Sequence, residues 1–191
     1  EVVVGRDFRF GRGRRGSVRG LMAAGRRLGF RTDPVSPVRR RGLVVSSSLI
    51  RRRLAAGAVG EAAGLLGHPY EITGRVVSGS GRGRSLGFPT ANLLPDNEIL
   101  PAGVFLTMAL VGGGVYPSVT NIGTRPTFGC GPLQVESYIL DYGGDLYRRR
   151  MGLRFLKKLR EEKAFPSREA LVAQIERDGR AARLAFERRH V

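Results

Sequence analysis

Cysteine is almost missing from this chain, which has one, Cys130, in 191 residues. A single thiol excludes an internal disulfide framework and fits a reducing compartment, so a cytoplasmic protein is expected. Cys130 sits in a Gly-rich stretch and reads as a small turn side chain rather than a catalytic thiol. Long apolar runs are missing too. None approaches the roughly 18 to 20 residues of a membrane span, and no membrane partner is expected. The opening Glu1-Val2-Val3-Val4-Gly5 lacks the basic region, apolar stretch and cleavage site of a signal peptide and reads as a short buried strand. Lysine is scarce: 157, 158 and 163 are the only three among 33 basic residues, leaving 30 arginines and a net charge of +17. There is no basic–aromatic stacking array, zinc-finger spacing or recognition helix. The arginine excess therefore reads as compositional bias that also favours anionic ligands, with no specific nucleic-acid partner.

What is present is a globular composition, 41% hydrophobic, in two textures that meet near His68-Pro69-Tyr70. Residues 1–67 alternate short apolar runs with basic helical pieces. Val2–Val4 and Leu43–Val45 look like strands. Ser17–Leu28, Leu49–Ala56 and Val59–Leu66 look like helices, with the serine run 46–48 at a strand–loop–helix junction. That order is α/β grammar. Further on, Ile72–Val77, Gly103–Val111, Val115–Ile122, Val135–Leu140 and Leu153–Leu159 are β-prone runs punctuated by Gly and Pro. They predict a small antiparallel barrel or sandwich. Ser167, with Pro166 just outside, caps a long helix carrying Leu171, Ile175, Ala182 and Phe186 at helical spacing.

The densest chemical signal is residues 78–92. Its glycines let backbone N–H groups approach phosphate oxygens, and Arg82 and Arg84 add charge-assisted donors. Thr90 and Asn92, one residue apart, share a face if the segment is extended. They offer two neutral oxygen ligands of the kind Mg²⁺ accepts when a nucleotide supplies the negative charge. No Walker string is present, and on texture alone a flexible surface loop is the favoured account. Glu136 is an acid within a strand, where a solvated face or a site are the alternatives. Asp141 and Asp145 read as turn formers.

Gly87-Phe88-Pro89-Thr90-Ala91-Asn92, following a Gly-Arg loop, resembles the signature of the riboflavin kinase family. Gly103-Val104-Phe105, the segment Tyr116–Phe128, Val135-Glu136-Ser137-Tyr138-Ile139-Leu140-Asp141, Asp145-Leu146-Tyr147 and Phe155–Phe165 match later family segments in order, over about 120 residues. The resemblance implies transfer of the ATP γ-phosphate to the ribityl 5′-hydroxyl of riboflavin, giving FMN and ADP with Mg²⁺. It makes Glu136 the catalytic base. Gly79, Gly81, Arg82, Arg84, Gly87, Thr90 and Asn92 would bind ATP, with Thr90 and Asn92 also holding the metal. Asn121, Arg125 and Arg160 would face the flavin. The expected fold is mainly β: a small antiparallel Greek-key barrel with a C-terminal helix over 72–191, behind a partial α/β, Rossmann-like nucleotidyltransferase segment. Two departures stand out. Tyr138 replaces a common histidine, and Arg148 replaces a glycine.

Residues 1–67 resemble the C-terminal half of the FMN adenylyltransferase (FAD synthetase) module of bifunctional flavokinases. The likeness is carried by Gly5-Arg6-Asp7-Phe8-Arg9-Phe10-Gly11, Val45–Arg51 and Leu65–Tyr70. Ser47, Ser48 and Arg51 would be a residual phosphate site at a helix start. The module's His-x-Gly-His loop has no counterpart, since the only histidines are His68 and His190. The segment is therefore expected to be a partial domain with an open sheet edge, and the chain to make FMN without appreciable FAD. The rival expectations are a full bifunctional enzyme and a non-enzymatic nucleic-acid binder with steep salt dependence.

Overall fold

The computed structural model describes residues 1–79, 81–124 and 133–188, which leaves Cys130 outside. The chain divides into two compact units, Glu1–Ser46 and Ser47–Val191.

In the first unit β1 (Val2–Gly5) pairs in parallel with β4 (Thr32–Val35), Val2 opposite Thr32. The helix α1 (Val18–Leu28) lies between them in sequence. Ser17 caps it by accepting from the Gly20 N–H at 3.3 Å, and Gly29, at φ 79°, ends it. Only glycine adopts that left-handed conformation without strain. Two hairpins complete the unit: β2 (Arg9–Phe10) with β3 (Gly16–Ser17), and β5 (Arg39–Arg40) with β6 (Leu43–Val44). A two-stranded sheet covers little, and Val3 and Val35 remain 63% and 50% exposed. Among the described residues this sheet has no further strand.

The second unit begins with α2 (Ser47–Ala55) and α3 (Val59–Leu66). Sequence texture groups these helices with residues 1–67. The structure instead buries Leu54, Val59 and Ala62 in one core with Ile72, Phe105 and Phe155. Their apolar sides gain far more on the barrel than a two-stranded sheet offers.

The barrel has six strands: β7 (Glu71–Val77), β8 (Thr90–Pro95), β9 (Gly103–Val111), β10 (Gly114–Gly123), β11 (Gln134–Ile139) and β12 (Arg150–Arg160). It closes in the order β10-β11-β8-β7-β12-β9, with every pair antiparallel. Five strands coincide with the β-prone runs of the sequence, and β8 is the extended segment that carries Thr90 and Asn92. The short α4 (Arg82–Ser85) lies between β7 and β8. The C-terminal α5 (Arg168–Glu187) starts at Ser167, whose hydroxyl accepts from the Ala170 N–H. Among the described residues no helix is long and apolar enough to cross a membrane.

Among the described residues the barrel interior is apolar except for one buried hydroxyl ladder. Phe105 and Phe155 meet edge to face at 5.2 Å. Beside them Thr107 Oγ1 shares hydrogens with Ser118 Oγ at 2.8 Å and Thr120 Oγ1 at 2.7 Å, and Thr120 Oγ1 donates to Ser137 Oγ at 3.0 Å. All four residues are buried. Thr120→Val keeps the shape but leaves Thr107 and Ser137 each short of a partner. Stability measured by denaturant unfolding is expected to fall by about 1–3 kcal/mol, the cost of unmet buried hydroxyls. An unchanged unfolding midpoint would show that the ladder carries no such weight.

Candidate functional site

The sequence after β7 must turn tightly to bring β8 back beside it, and the glycines there make close approach possible. A methyl group on Gly79 would overlap the Asn92 side-chain amide. One on Gly83 would strike the Phe88 carbonyl oxygen and sit 3.0 Å from Thr90 Oγ1. The loop is thus folded directly onto the Thr90–Asn92 pair. Gly81 (φ 71°) opens α4, and Gly87 (φ 87°) turns the chain out of it. The Phe88 N–H donates to the Gly83 carbonyl at 2.8 Å and ties the loop's two ends.

This loop forms one wall of a cleft of about 730 Å³ at the barrel mouth. Gly79, Gly81, Arg84, Thr90 and Asn92 line that wall, residues 142–147 line the opposite one, and Val76, Ala91, Ser137 and Ile139 contribute from the barrel. The 142–147 wall was not among the expected site residues, although Asp145-Leu146-Tyr147 belongs to a recognised segment. Gly87 does not line the cleft.

Register carries the site sideways from Asn92. Asn92 stands opposite Glu136 on β11, and Glu136 stands opposite Asn121 on β10. Directly paired residues share a face of the sheet, with Cβ atoms about 4.5–5.5 Å apart. Asn92, Glu136 and Asn121 therefore form a row that starts at the cleft, which Asn92 lines and Glu136 and Asn121 do not, and all three are half-buried. The row continues through Val104 to Arg160. Among the described residues the Glu136 carboxylate makes no hydrogen bond or ion pair. Asp141, which lies just past the end of β11, accepts hydrogen bonds from both Nη atoms of Arg183 at 2.7 and 2.9 Å. That bond and its charge raise the Arg183 pKa above the ordinary guanidinium value.

The other expected residues are placed as follows. Asn121 Nδ2 donates to Glu162 at 3.1 Å, while its buried Oδ1 has no partner among the described residues. Arg160 is occupied: Nε and Nη2 hold Asp178 at 3.0 Å, and Nη1 donates to the Glu161 carbonyl at 3.2 Å. Asp178 is itself buried and also accepts from Gln174 at 2.8 Å. The Arg82 side chain and Arg125 lie outside the described residues. Ser47, Ser48 and Arg51 are exposed on the first turns of α2, with Arg51 one turn beyond Ser47. Tyr138 packs edge-on against Phe88 at 5.4 Å, so this departure still supports the loop. Arg148 takes a left-handed φ of 64° with its guanidinium 5.3 Å from the centre of the Tyr147 ring.

Comparison with known proteins gives the following. A riboflavin kinase family profile matches residues 66–186, and an FAD synthetase profile matches residues 1–49. The chain is 44% identical over 184 residues to a bifunctional riboflavin kinase/FMN adenylyltransferase of Pseudomonas fluorescens, covering 95% of this chain and 59% of that one. To the enzyme of the same description from Escherichia coli strain K12 it is 42% identical over 187 residues, 97% of this chain and 60% of that one. It thus spans about 60% of the length of these curated relatives. Among solved structures, one described as a macrolide-efflux protein from Streptococcus pneumoniae superposes with a TM-score of 0.83 at 30% identity, covering 94% of this chain and 58% of that one.

Proposed function

The chain belongs to the riboflavin kinase family, and we propose that its barrel transfers the γ-phosphoryl group of ATP to the ribityl 5′-hydroxyl of riboflavin, giving FMN and ADP. The observation that carries this reading is the β8–β11 register, which sets Glu136 beside Asn92 at the edge of the glycine-walled cleft. In that arrangement the nucleotide lies against Gly79, Gly81, Arg84 and Thr90, and Glu136 faces the acceptor hydroxyl from the neighbouring strand. As the new O–P bond forms, Glu136 takes the hydroxyl proton, and the bond from phosphorus to the ADP oxygen breaks.

Thr90 and Asn92 fit a magnesium ion in donor type: two neutral oxygens on one face of β8, with nucleotide phosphates completing the shell. Among the described residues no cluster of three or more His, Cys, Asp or Glu is placed to hold a metal without such help. When bound, the ion offsets phosphate charge. Arg84 and the amides of the glycine loop steady the same phosphates. On the flavin side we assign Asn121, whose buried Oδ1 is an acceptor in want of a donor, and Arg125. Arg160 acts there as a positioning residue, because its nitrogens already hold Asp178 and the Glu161 carbonyl.

By resemblance we assign residues 1–67 to a partial FMN adenylyltransferase domain and 72–191 to the kinase domain, although α2 and α3 of the first segment pack into the barrel core. Ser47, Ser48 and Arg51 retain the look of a phosphate site, but the chain carries no His-x-Gly-His loop to stabilise adenylyl transfer. Purified chain incubated with riboflavin, ATP and Mg²⁺ is expected to yield FMN and no appreciable FAD on chromatographic separation. No FMN would refute the kinase assignment. FAD formed from FMN and ATP would refute the assignment of the first segment.

A further inference from the structure

The walls of the cleft are not held by the barrel alone. On the glycine-loop wall, Arg168 Nη2 donates to the Ser85 carbonyl at 2.6 Å. Ser85 directly follows Arg84, which lines the cleft. On the opposite wall, Arg183 grips Asp141 with two hydrogen bonds of 2.7 and 2.9 Å. Asp141 directly precedes Tyr142, the first lining residue of that wall, and has a left-handed φ of 57°, uncommon for a residue other than glycine. Both arginines belong to α5. They lie fifteen residues apart, about 22 Å along a helix. Between them α5 is fixed to the barrel by the buried Asp178–Arg160 pair and by Ala182, which packs in a cluster with Leu106 and Leu140.

We infer that α5 is a brace that sets the opening of the nucleotide cleft, with Arg168 and Arg183 as positioning residues that do not touch the reacting groups. The inference rests on the cleft being the ATP site. One rigid helix, registered on the barrel at its centre, reaches a backbone carbonyl on one wall and a strained turn on the other. Releasing either contact frees the residue next to the lining stretch, and the walls then spend part of their time at the wrong separation. Nucleotide affinity falls by the fraction of molecules with the correct opening. Glu136 and Asn92 sit on paired strands of the barrel and do not depend on either contact.

The test is steady-state kinetics of riboflavin phosphorylation with thermal unfolding measured in parallel. Both Arg168→Met and Arg183→Met are expected to raise KM for ATP about three- to fivefold, the upper part of the range available to exposed, well-oriented charged contacts. Within about twofold, kcat and KM for riboflavin should stay at the parental values. The Lys variants at both positions should fall between parent and Met, because lysine restores charge and one donor but not the fork. Arg177→Met is the control on the same helix. Among the described residues Arg177 bonds only Gln174, one turn away, and its loss should leave KM for ATP unchanged. An unmoved KM for ATP in both Met variants would overturn the brace, as would equal rises in both substrates' KM together with a lower unfolding midpoint. If the parent chain forms no FMN, the kinase reading fails by itself. Titration of parent and variants with a fluorescent ATP analogue and Mg²⁺ then decides the brace alone: unequal affinities support it and equal affinities overturn it.

Discussion

Glu136→Gln is expected to lower kcat at least roughly tenfold, a conservative bound below the ~10²–10⁴ usually contributed by a positioned general base. Glutamine preserves the size and hydrogen-bonding reach of the side chain but cannot take the ribityl proton. Because Glu136 stands opposite Asn92 on one side and Asn121 on the other, the substitution leaves both strand pairings in place. The KM values for ATP and riboflavin should therefore move by no more than about twofold, the pattern of an interaction made mainly in the transition state. The competing acid is Asp141, and the structure separates the two. Asp141 is bound bidentately by Arg183, while Glu136 has no such partner among the described residues. Asp141→Asn should accordingly preserve kcat and, through the released turn, weaken ATP binding. A Glu136→Gln variant that unfolds at the parental temperature and turns over at the parental rate would remove Glu136 from the mechanism.

The contrast between Glu136 and Asp141 shows which parts of the site can be read from sequence. The strands were legible because alternation and turn residues mark a half-buried sheet, and the starts of α1 and α5 were legible because Ser17 and Ser167 cap them. The segment Gly87–Asn92 was legible because its residue types have local reasons: glycine where φ is left-handed at 87°, and oxygen donors two apart on an extended strand. What could not be read is long-range pairing. Nothing local to Thr90–Asn92 states that β8 will lie between β7 and β11, yet that choice alone puts Asn92 beside Glu136. The same limit explains α2 and α3. Their apolar faces were visible, but which core would take them was decided by the area each unit could offer. Arg160 was expected at the flavin, and its commitment to Asp178 depends on α5 returning across β12's end. Arg168 and Arg183 carried no signal among thirty arginines, since only the fold distinguishes a tether from a solvated charge.

Thr90→Ala bears on the nucleotide side of the same geometry. Thr90 lies in the wall of the cleft, two residues from Asn92 on the same face of β8, and Gly83 passes so close that a methyl there would stand 3.0 Å from its hydroxyl. Its oxygen is therefore presented at a fixed place, under a loop that approaches only because it is glycine. Removing that oxygen deletes one of two neutral ligands that β8 offers to a magnesium–nucleotide complex, and water is a poorer substitute because it must be ordered anew. Interactions with charged groups are commonly worth about 1.5–3 kcal/mol, or roughly 10- to 150-fold in affinity. Thr90→Ala is expected to raise KM for magnesium–ATP into that range and to shift the magnesium concentration needed for half-maximal rate upward. KM for riboflavin should stay near the parental value, since Asn121 and Glu136 are untouched. Thr90→Ser keeps the oxygen and should recover most of the affinity, which separates a lost ligand from a disturbed strand. If Thr90→Ala phosphorylates riboflavin at the parental rate with the parental magnesium dependence, the metal is not held at β8, and Asn92 must be tested against the phosphates alone.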